Sequence, residues 1–418
     1  MSVIIAEPSS SGVALIGAAR RMGKAAVVFT ADRDDRRISA ACRKLATSVI
    51  VLDTNDADAV FHAAQKVSRE DKLEAIVPGF EYLVDVVAKA ASCLGLPHLS
   101  PQAAIMARNK FACRERLRSM GLDVPRYALI CNESQLERAA SRVGFPAVIK
   151  PVDGCGSLLV RRVDSLSELR SVVQDSAING LLDMGKRVGI PFLLEELLVG
   201  HEFSIEGYID EGQPHVVAVT EKQLGAGPYF VEMGHIVQAE LPEHERTKLV
   251  AYVQQVVRAM DLTLGVFHAE ARMTERGPVL IEINCRLGGD RIYRLVELTR
   301  GLSLPEIMIC SYCGWKNLAS TVRFPREHGV AGVRFLSVDS ARFSAAYGLD
   351  DVRAMTGCEE VELYFQPGDA VPPLTDFRGR VGHVLFTAED RPTLEMRLCQ
   401  AENRIRFAPQ ETGVYIAQ

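Results

Sequence analysis

Phe267-His268-Ala269-Glu270-Ala271-Arg272-Met273, then Thr274-Glu275-Arg276-Gly277-Pro278, then Val279-Leu280-Ile281-Glu282-Ile283-Asn284 is the stretch on which the fold turns. Both arms read as β-strands, and the charged joint between them holds a glycine and a proline. With residues 275–277 as the loop, Met273 sits beside Val279 and Glu270 lands opposite Glu282. Side chains alternate along a strand, so Glu282 and Asn284 share a face. Two carboxylates facing each other across a sheet repel. A hard cation removes that cost, and Mg²⁺ takes a few protein oxygens, waters and substrate phosphates. The stretch therefore suggests a metal–nucleotide site; the plain alternative is an exposed hairpin with scattered charges.

Outward from the hairpin, 418 residues are too many for one ordinary core, so two or three domains are expected. The chain is 48% hydrophobic and 24% charged, an ordinary soluble composition, and a cytoplasmic location is expected. A net charge of -5 argues against a nucleic-acid partner held by bulk charge. No long apolar run predicts a membrane helix. Ser2-Val3-Ile4-Ile5-Ala6-Glu7 lacks the basic and long apolar parts of a signal peptide. Ten cysteines in such a chain read as thiols, and the lone Cys310-Ser311-Tyr312-Cys313 sits in an apolar helical stretch without a second pair at zinc spacing.

Residues 1–100 alternate strands (Val3–Ala6, Ala25–Phe29, Ser48–Leu52, Ala75–Pro78) with helices, which implies a parallel sheet covered on both faces. Ser9-Ser10-Ser11-Gly12 resembles a phosphate loop without GxGxxG and reads as a strand-to-helix turn capped by serine. Residues 101–325 begin helical, then turn antiparallel, with a helix over Glu243–Leu262. Residues 326–418 form a third unit of short strands and turns. The fold class is thus α/β followed by α+β.

Two further stretches carry chemistry. Ala147-Val148-Ile149-Lys150-Pro151 ends a strand in a lysine, and Asp153-Gly154-Cys155-Gly156-Ser157 follows. A lysine leaving a strand reaches phosphates, and glycines let backbone N–H groups approach them. It is not a Walker loop, because the lysine precedes the glycines. In Leu193-Leu194-Glu195-Glu196-Leu197-Leu198-Val199-Gly200-His201-Glu202, a strand with an unpaired edge would hold an adenine ring by its backbone, and Glu202 would accept from ribose hydroxyls.

The ordered set Lys110, Lys150 with its glycines, Glu195-Glu196-Leu197-Leu198, Glu202, Glu270 and Glu282-Ile283-Asn284 resembles the ATP-grasp pattern. The resemblance implies an ATP-grasp fold with an N-terminal parallel pre-ATP-grasp domain and a small C-terminal lid. It implies ATP held by Lys110 and Lys150 at the phosphates under a loop containing Gly154, Gly156 and Ser157. Glu196 and Leu198 would bind adenine by backbone, with Glu195 nearby and Glu202 on the ribose. Glu270, Glu282 and Asn284 would hold Mg²⁺, for which Mn²⁺ can substitute.

Narrower stretches resemble the bacterial L-amino-acid ligases: Glu221-Lys222, Gly227-Pro228-Tyr229-Phe230-Val231-Glu232-Met233-Gly234-His235 and Asn284-Cys285-Arg286-Leu287-Gly288-Gly289-Asp290. Gly329–Leu336 and Arg380-Val381-Gly382-His383-Val384 resemble that family's lid. The one departure is Ile236-Val237-Gln238-Ala239-Glu240 after His235, without the proline expected there, which leaves room for a different acceptor pocket. The resemblance implies a ligase in which a carboxylate takes the γ-phosphate of ATP and an amine displaces phosphate. Arg286 would hold the carboxylate and then the acyl phosphate or tetrahedral oxyanion. His235 would stabilise the acyl phosphate or help deprotonate the amine. Glu232 would bind an ammonium group, Tyr229 would shape a side-chain pocket, and Gly288 and Gly289 would line the substrate site. His268 reads as structural. The partners are small-molecule amino acids, and a homodimer is the base-rate expectation. Another ATP-grasp ligase, of the carboxylase or purine-pathway kind, and an inactive nucleotide-binding protein remain open alternatives.

Overall fold

The computed structural model describes residues 1–31, 38–175, 181–321 and 329–408. Strands β1 (Ser2–Ala6), β2 (Ala25–Thr30), β3 (Ser48–Val51) and β4 (Leu73–Pro78) form a parallel sheet in the order β3-β2-β1-β4. Central β1 is buried along its whole length, which is why it reads as an unbroken apolar run rather than an alternating one. The turns after β1 and β4 interlock: a Cβ on Gly12 would lie 1.8 Å from the Gly79 carbonyl oxygen, so only glycine fits. The serine turn exists, but no serine side chain caps it.

β5 (Tyr127–Ile130), β6 (Ala147–Pro151) and β7 (Arg161–Val163) form a second sheet with β10 (Phe192–Glu196), in the order β5-β10-β6-β7. Between them lies a small hairpin, β8 (Leu182–Asp183) and β9 (Lys186–Arg187). β10 is therefore paired on both sides, contrary to the open edge expected there. The segment just after it, Leu197–Gly200, belongs to no strand, and there the Leu197 N–H donates to the Pro146 carbonyl at 3.3 Å.

β11 (His201–Asp210), β12 (Gln213–Leu224), β13 (Glu232–Val237), β14 (Gly265–Thr274) and β15 (Gly277–Asn284) build the antiparallel part of an eight-stranded sheet. The helix Glu243–Ala259 lays Leu249, Val253, Val256 and Val257 against Phe203, Ile205, Phe267 and Leu280, as its periodicity predicts. The β14–β15 hairpin pairs Glu270 with Glu282, but not by the expected register. The loop is two residues, Glu275-Arg276, with Gly277 at φ 107° pairing to Thr274, and Met273 faces Pro278. A β-bulge between Glu270 and Ala271 then leaves Ile281 as an extra residue, which restores the Glu270–Glu282 pair.

The sheet continues into the C-terminal part through β16 (Val330–Leu336), which pairs with β13. β17 (Ala346–Tyr347) pairs with β20 (Arg406–Phe407), while β18 (Cys358–Leu363) and β19 (Gly382–Ala388) complete the order β15-β14-β11-β12-β13-β16-β19-β18. The boundary expected near residue 325 lies outside the described residues. Near the boundary expected at residue 100, the Ser100 side chain caps the helix Pro101–Arg108. None of the ten cysteines is in a disulfide; Cys310 and Cys313 lie at a helix end, where burial pushes them up to about 12 and about 11.

Candidate active site

A cavity of about 210 Å³ opens where the second sheet, the large sheet and the N-terminal turns meet. At one end Lys150, on β6, lies 2.6 Å from Glu195 on β10, and Arg114 bonds the same carboxylate at 2.6 Å. Two cations share one acid, and all three are almost entirely buried. Burial pushes Glu195 up, but Arg114 and then Lys150 outweigh it and hold the acid below its usual range. Burial pushes Lys150 down against the pull of Glu195. A buried lysine short of negative charge is stabilised by an arriving phosphate.

Lys110 begins the helix Lys110–Ser119, which Asn109 caps by accepting from the Ala112 N–H at 2.9 Å. Its ammonium donates to the Gly154 carbonyl at 2.7 Å and lies 3.2 Å from Glu282. The bulge turns the Ile281 carbonyl to this end, where Arg114 donates to it at 2.5 Å and Lys150 at 3.4 Å. Gly154, Gly156 and Ser157 line the cavity beside the lysines.

The adenine expectation needs adjustment. The Glu196 N–H donates to the Arg126 carbonyl at 2.9 Å, and the Leu198 carbonyl accepts from Arg272 at 2.6 Å. Among the described residues the Leu198 N–H has no protein acceptor. The Glu196 carboxylate turns away to Arg126 and Arg276.

Midway, Lys222 on β12 stands among three carboxylates, Glu202 at 2.9 Å, Glu270 at 2.8 Å and Glu232 at 3.3 Å. Burial opposes its charge, yet the three acids, Glu202 first, hold its pKa well above the usual value. Glu202 also meets Arg272 at 3.0 Å. His268 bridges Glu206 at 2.8 Å and Glu270 at 3.0 Å; burial opposes its charge, but Glu206 and Glu270 raise it to about 10. It stands at the cavity wall between the two carboxylates. Burial pushes Glu270 up, and Lys222 and His268 more than reverse this. Glu282 is likewise drawn down to about 2, burial opposing and Lys110 prevailing.

Asn284 Nδ2 donates to Glu282 at 2.8 Å, which leaves its side-chain oxygen as an acceptor. Asn284 lies outside the main cavity and lines a small adjoining recess with Lys110 and Glu282. Among the described residues no three His, Cys, Asp or Glu side chains are grouped to hold a metal ion. Two carboxylates and one amide oxygen fit a cation that takes its other ligands from phosphates and water, as Mg²⁺ does.

At the far end Glu232 and His235 lie on β13. Burial raises the Glu232 pKa, Lys222 opposes this, and Asp290 adds to it. His235 Nε2 lies 3.2 Å from Asp290, whose carboxylate takes two 2.7 Å bonds from Arg380. Burial pushes Asp290 up, but Arg380 and then His235 hold it far below the usual carboxylate range. Arg286 meets Glu81 at 2.8 Å and donates to the Leu287 carbonyl at 2.6 Å. Glu81, from the N-terminal part, is also bonded by Arg108 at 3.1 Å.

Three candidates are not brought to the cavity wall: Tyr229, Gly288 and Asn284. Tyr229 packs under Arg161 instead, 5.8 Å from ring centre to guanidinium, and its neighbour Phe230 lines the cavity. Alternation along the chain decides which of the two faces inward. Gly288 packs on the His268–Glu206 pair, where a Cβ would meet His268 at 2.8 Å, while Gly289 does line the cavity. Within the stretch that lacks the expected proline, Gln238 takes φ 66°, a value a proline ring forbids. Sequence reasoning missed Lys222 as a site residue, together with Glu81, Asp290 and Arg380. Lys222, Asp290 and Arg380 did carry a signal, since each stands in a stretch quoted above for its resemblance to the L-amino-acid ligases, whereas Glu81 carried none.

Comparison with known proteins bears on the fold and its domains. Residues 143–294 match the ATP-grasp domain, residues 16–98 the ATP-grasp N-terminal domain, and residues 334–408 the L-amino acid ligase C-terminal domain 2. The uncharacterized protein y4rH of Sinorhizobium fredii is 27% identical over 411 residues, 97% of this chain and 82% of that one. The L-arginine-specific L-amino acid ligase of Bacillus subtilis is 23% identical over 308 residues, 70% of this chain and 71% of that one. Among solved structures, an L-amino acid ligase from Bacillus licheniformis shares the fold with a TM-score of 0.83 at 22% identity, over 98% of this chain and 99% of that one. Fold and domain matches define an ATP-grasp protein. With its L-amino acid ligase C-terminal domain, the chain is an ATP-grasp ligase related to the L-amino acid ligases.

Proposed function

We propose that this protein joins the carboxylate of one amino acid, or of a related carboxylic acid, to the amine of another through an acyl phosphate, releasing ADP and phosphate. The observation that carries the reading is that one cavity joins an under-neutralised cationic end, Lys150 with Arg114 and Glu195, to an end holding Glu232, His235 and Arg286. The names of the relatives support the same chemistry: L-arginine-specific L-amino acid ligase, alanine–anticapsin ligase and dapdiamide A synthase.

Lys150 and Lys110 neutralise phosphate oxygens, which is most of what phosphoryl transfer asks of a protein. Glu270, Glu282 and Asn284 would hold Mg²⁺, which supplies charge neutralisation at the transferring phosphate. Arg286 is anchored by Glu81 through one edge, and its guanidinium fork matches a carboxylate or an acyl-phosphate oxygen pair. Glu232 receives the ammonium group of an amino acid. His235, held at Nε2 by Asp290, stands beside the same strand face. The phosphate loop and Phe377 keep water from the activated carboxyl.

The test is ADP release with Mg²⁺-ATP across all pairs of proteinogenic amino acids, with mass spectrometry of the products. Release that needs a particular pair, with a product mass of the two less one water, is expected. ATP binding without turnover on any pair or carboxylic acid would sink the ligase reading.

A further inference from the structure

The C-terminal part of the chain sends one short segment into the cavity, and none of the roles above assigns a function to its arginine. The turn Phe377–Gly379 leads into Arg380, and Phe377 and Arg380 both line the cavity. A Cβ on Gly156 would meet the Phe377 ring at 3.0 Å, so the phosphate-loop glycine packs directly on it. Arg380 is 5% exposed and its guanidinium lies 3.8 Å from the Phe335 ring centre. From that slot it donates to both oxygens of Asp290 at 2.7 Å and to the Glu232 carbonyl at 3.2 Å. Asp290 and Arg291 sit consecutively at φ 56° and 64°, a left-handed pair of non-glycine residues that surrounding contacts must hold.

Asp290 passes this constraint on. An ionised carboxylate only accepts, so His235 Nε2 carries the proton of the 3.2 Å bond between them. The other nitrogen, Nδ1, is buried and has no partner among the described residues. The ring's orientation and tautomer therefore depend on Asp290, and the place of Asp290 depends on Arg380.

We propose that Arg380 is a positioning residue: acting through Asp290, it fixes the His235 ring for the amide-forming step, so that the C-terminal segment completes the site. This rests on the ligase reading above. Arg380→Ala, Arg380→Lys, Asp290→Asn and the double variant R380A/D290N are compared with the full-length wild type. Arg380→Ala is expected to lower kcat by about tenfold or more while the KM for ATP stays within about twofold. Arg380→Lys recovers little, because a point charge cannot span both oxygens of Asp290. Guanidinium ion added to Arg380→Ala restores part of the rate. The double variant is no worse than either single by more than about twofold, as residues acting in series require. In ¹⁵N-histidine spectra of the protein without ligands, the His235 signals move in Arg380→Ala as the Nε2–H form loses its acceptor.

Three results overturn the proposal: a KM for ATP that rises as far as kcat falls, additive losses in the double variant, or His235 signals unmoved by Arg380→Ala. If wild-type protein turns over no substrate pair, the ligase reading falls, and the histidine spectra still decide the Arg380–His235 link.

Discussion

The two ends of the cavity are built on opposite electrostatic terms. At the phosphate end, Lys150 and Arg114 share Glu195, and burial works against Lys150 staying charged. At the substrate end, Arg286 has Glu81, Arg380 has Asp290, and His235 has Asp290 too. The first end is short of negative charge and is completed by a polyanion. The second is neutralised within the protein and offers orientation rather than net attraction. ATP affinity should therefore depend on charge, and substrate chemistry on geometry.

The sharpest way to break this contrast is at the joint between the ends. Glu282→Ala removes a proposed metal ligand and leaves Lys110 without its carboxylate. It should lower kcat by about a thousandfold or more with the fold intact, since the lost term acts on the transferring phosphate. Near-normal kcat in steady-state assays would remove Glu282 from the metal site. Next in size is Glu195→Gln, which strands Arg114 and Lys150 in the interior. Breaking a buried ion pair from one side costs about 3–5 kcal/mol, to be read in denaturant unfolding. The pH dependence has a definite sign. Because the folded pKa of Glu195 is depressed, its stabilisation is present above the unfolded value of about 4.3 and is lost as pH falls through the folded value. Wild type should lose more stability on acidification than Glu195→Gln; parallel curves would show that the carboxylate is not stabilised as its partners imply.

At the other end, Arg286→Ala should lower kcat by about a hundredfold while ATP affinity, measured by calorimetry, changes by less than about threefold. A selective loss of ATP affinity would place Arg286 at the phosphates and erase the distinction between the ends.

The phosphate end was largely legible in the sequence, because its parts lie in short strand-and-turn stretches with local signatures. Lys150 precedes its glycines, and Glu282 and Asn284 alternate on one strand. Even there the expected Glu270–Glu282 pairing held for a compensating reason. The loop is one residue shorter than expected, and the bulge at Ile281 restores the register. Neither a bulge nor the second neighbour of β10 leaves a mark in a single strand's own pattern. The substrate end was legible at Glu232 and His235 on β13 and at Arg286 and Gly289 after β15. Its other supports come from distant chain, Glu81 to Arg286 and Arg380 to Asp290, and spacing carries no information about such pairs. The parallel N-terminal sheet was plain from its alternation of strands and helices. The pairing of β16 with β13 across the expected domain boundary was not, because it joins two separately readable units.

The smallest effect tests the finest point of the contrast, which of two adjacent aromatics faces the substrate. Phe230 lines the cavity and lies 5.8 Å from the Arg272 guanidinium, whereas Tyr229 packs on Arg161 outside it. Phe230→Ala removes apolar wall and loosens Arg272, which Glu202 and the Leu198 carbonyl also hold. Its KM values should rise by about three- to tenfold, the worth of a partly buried aromatic contact. Tyr229→Ala should leave kcat/KM within about twofold, because the ring it removes does not line the cavity. The reverse order of effects would mean that the strand end turns over when substrate binds, bringing Tyr229 inward. In that case the geometry of the substrate end would be set by the ligand as much as by the salt bridges that surround it.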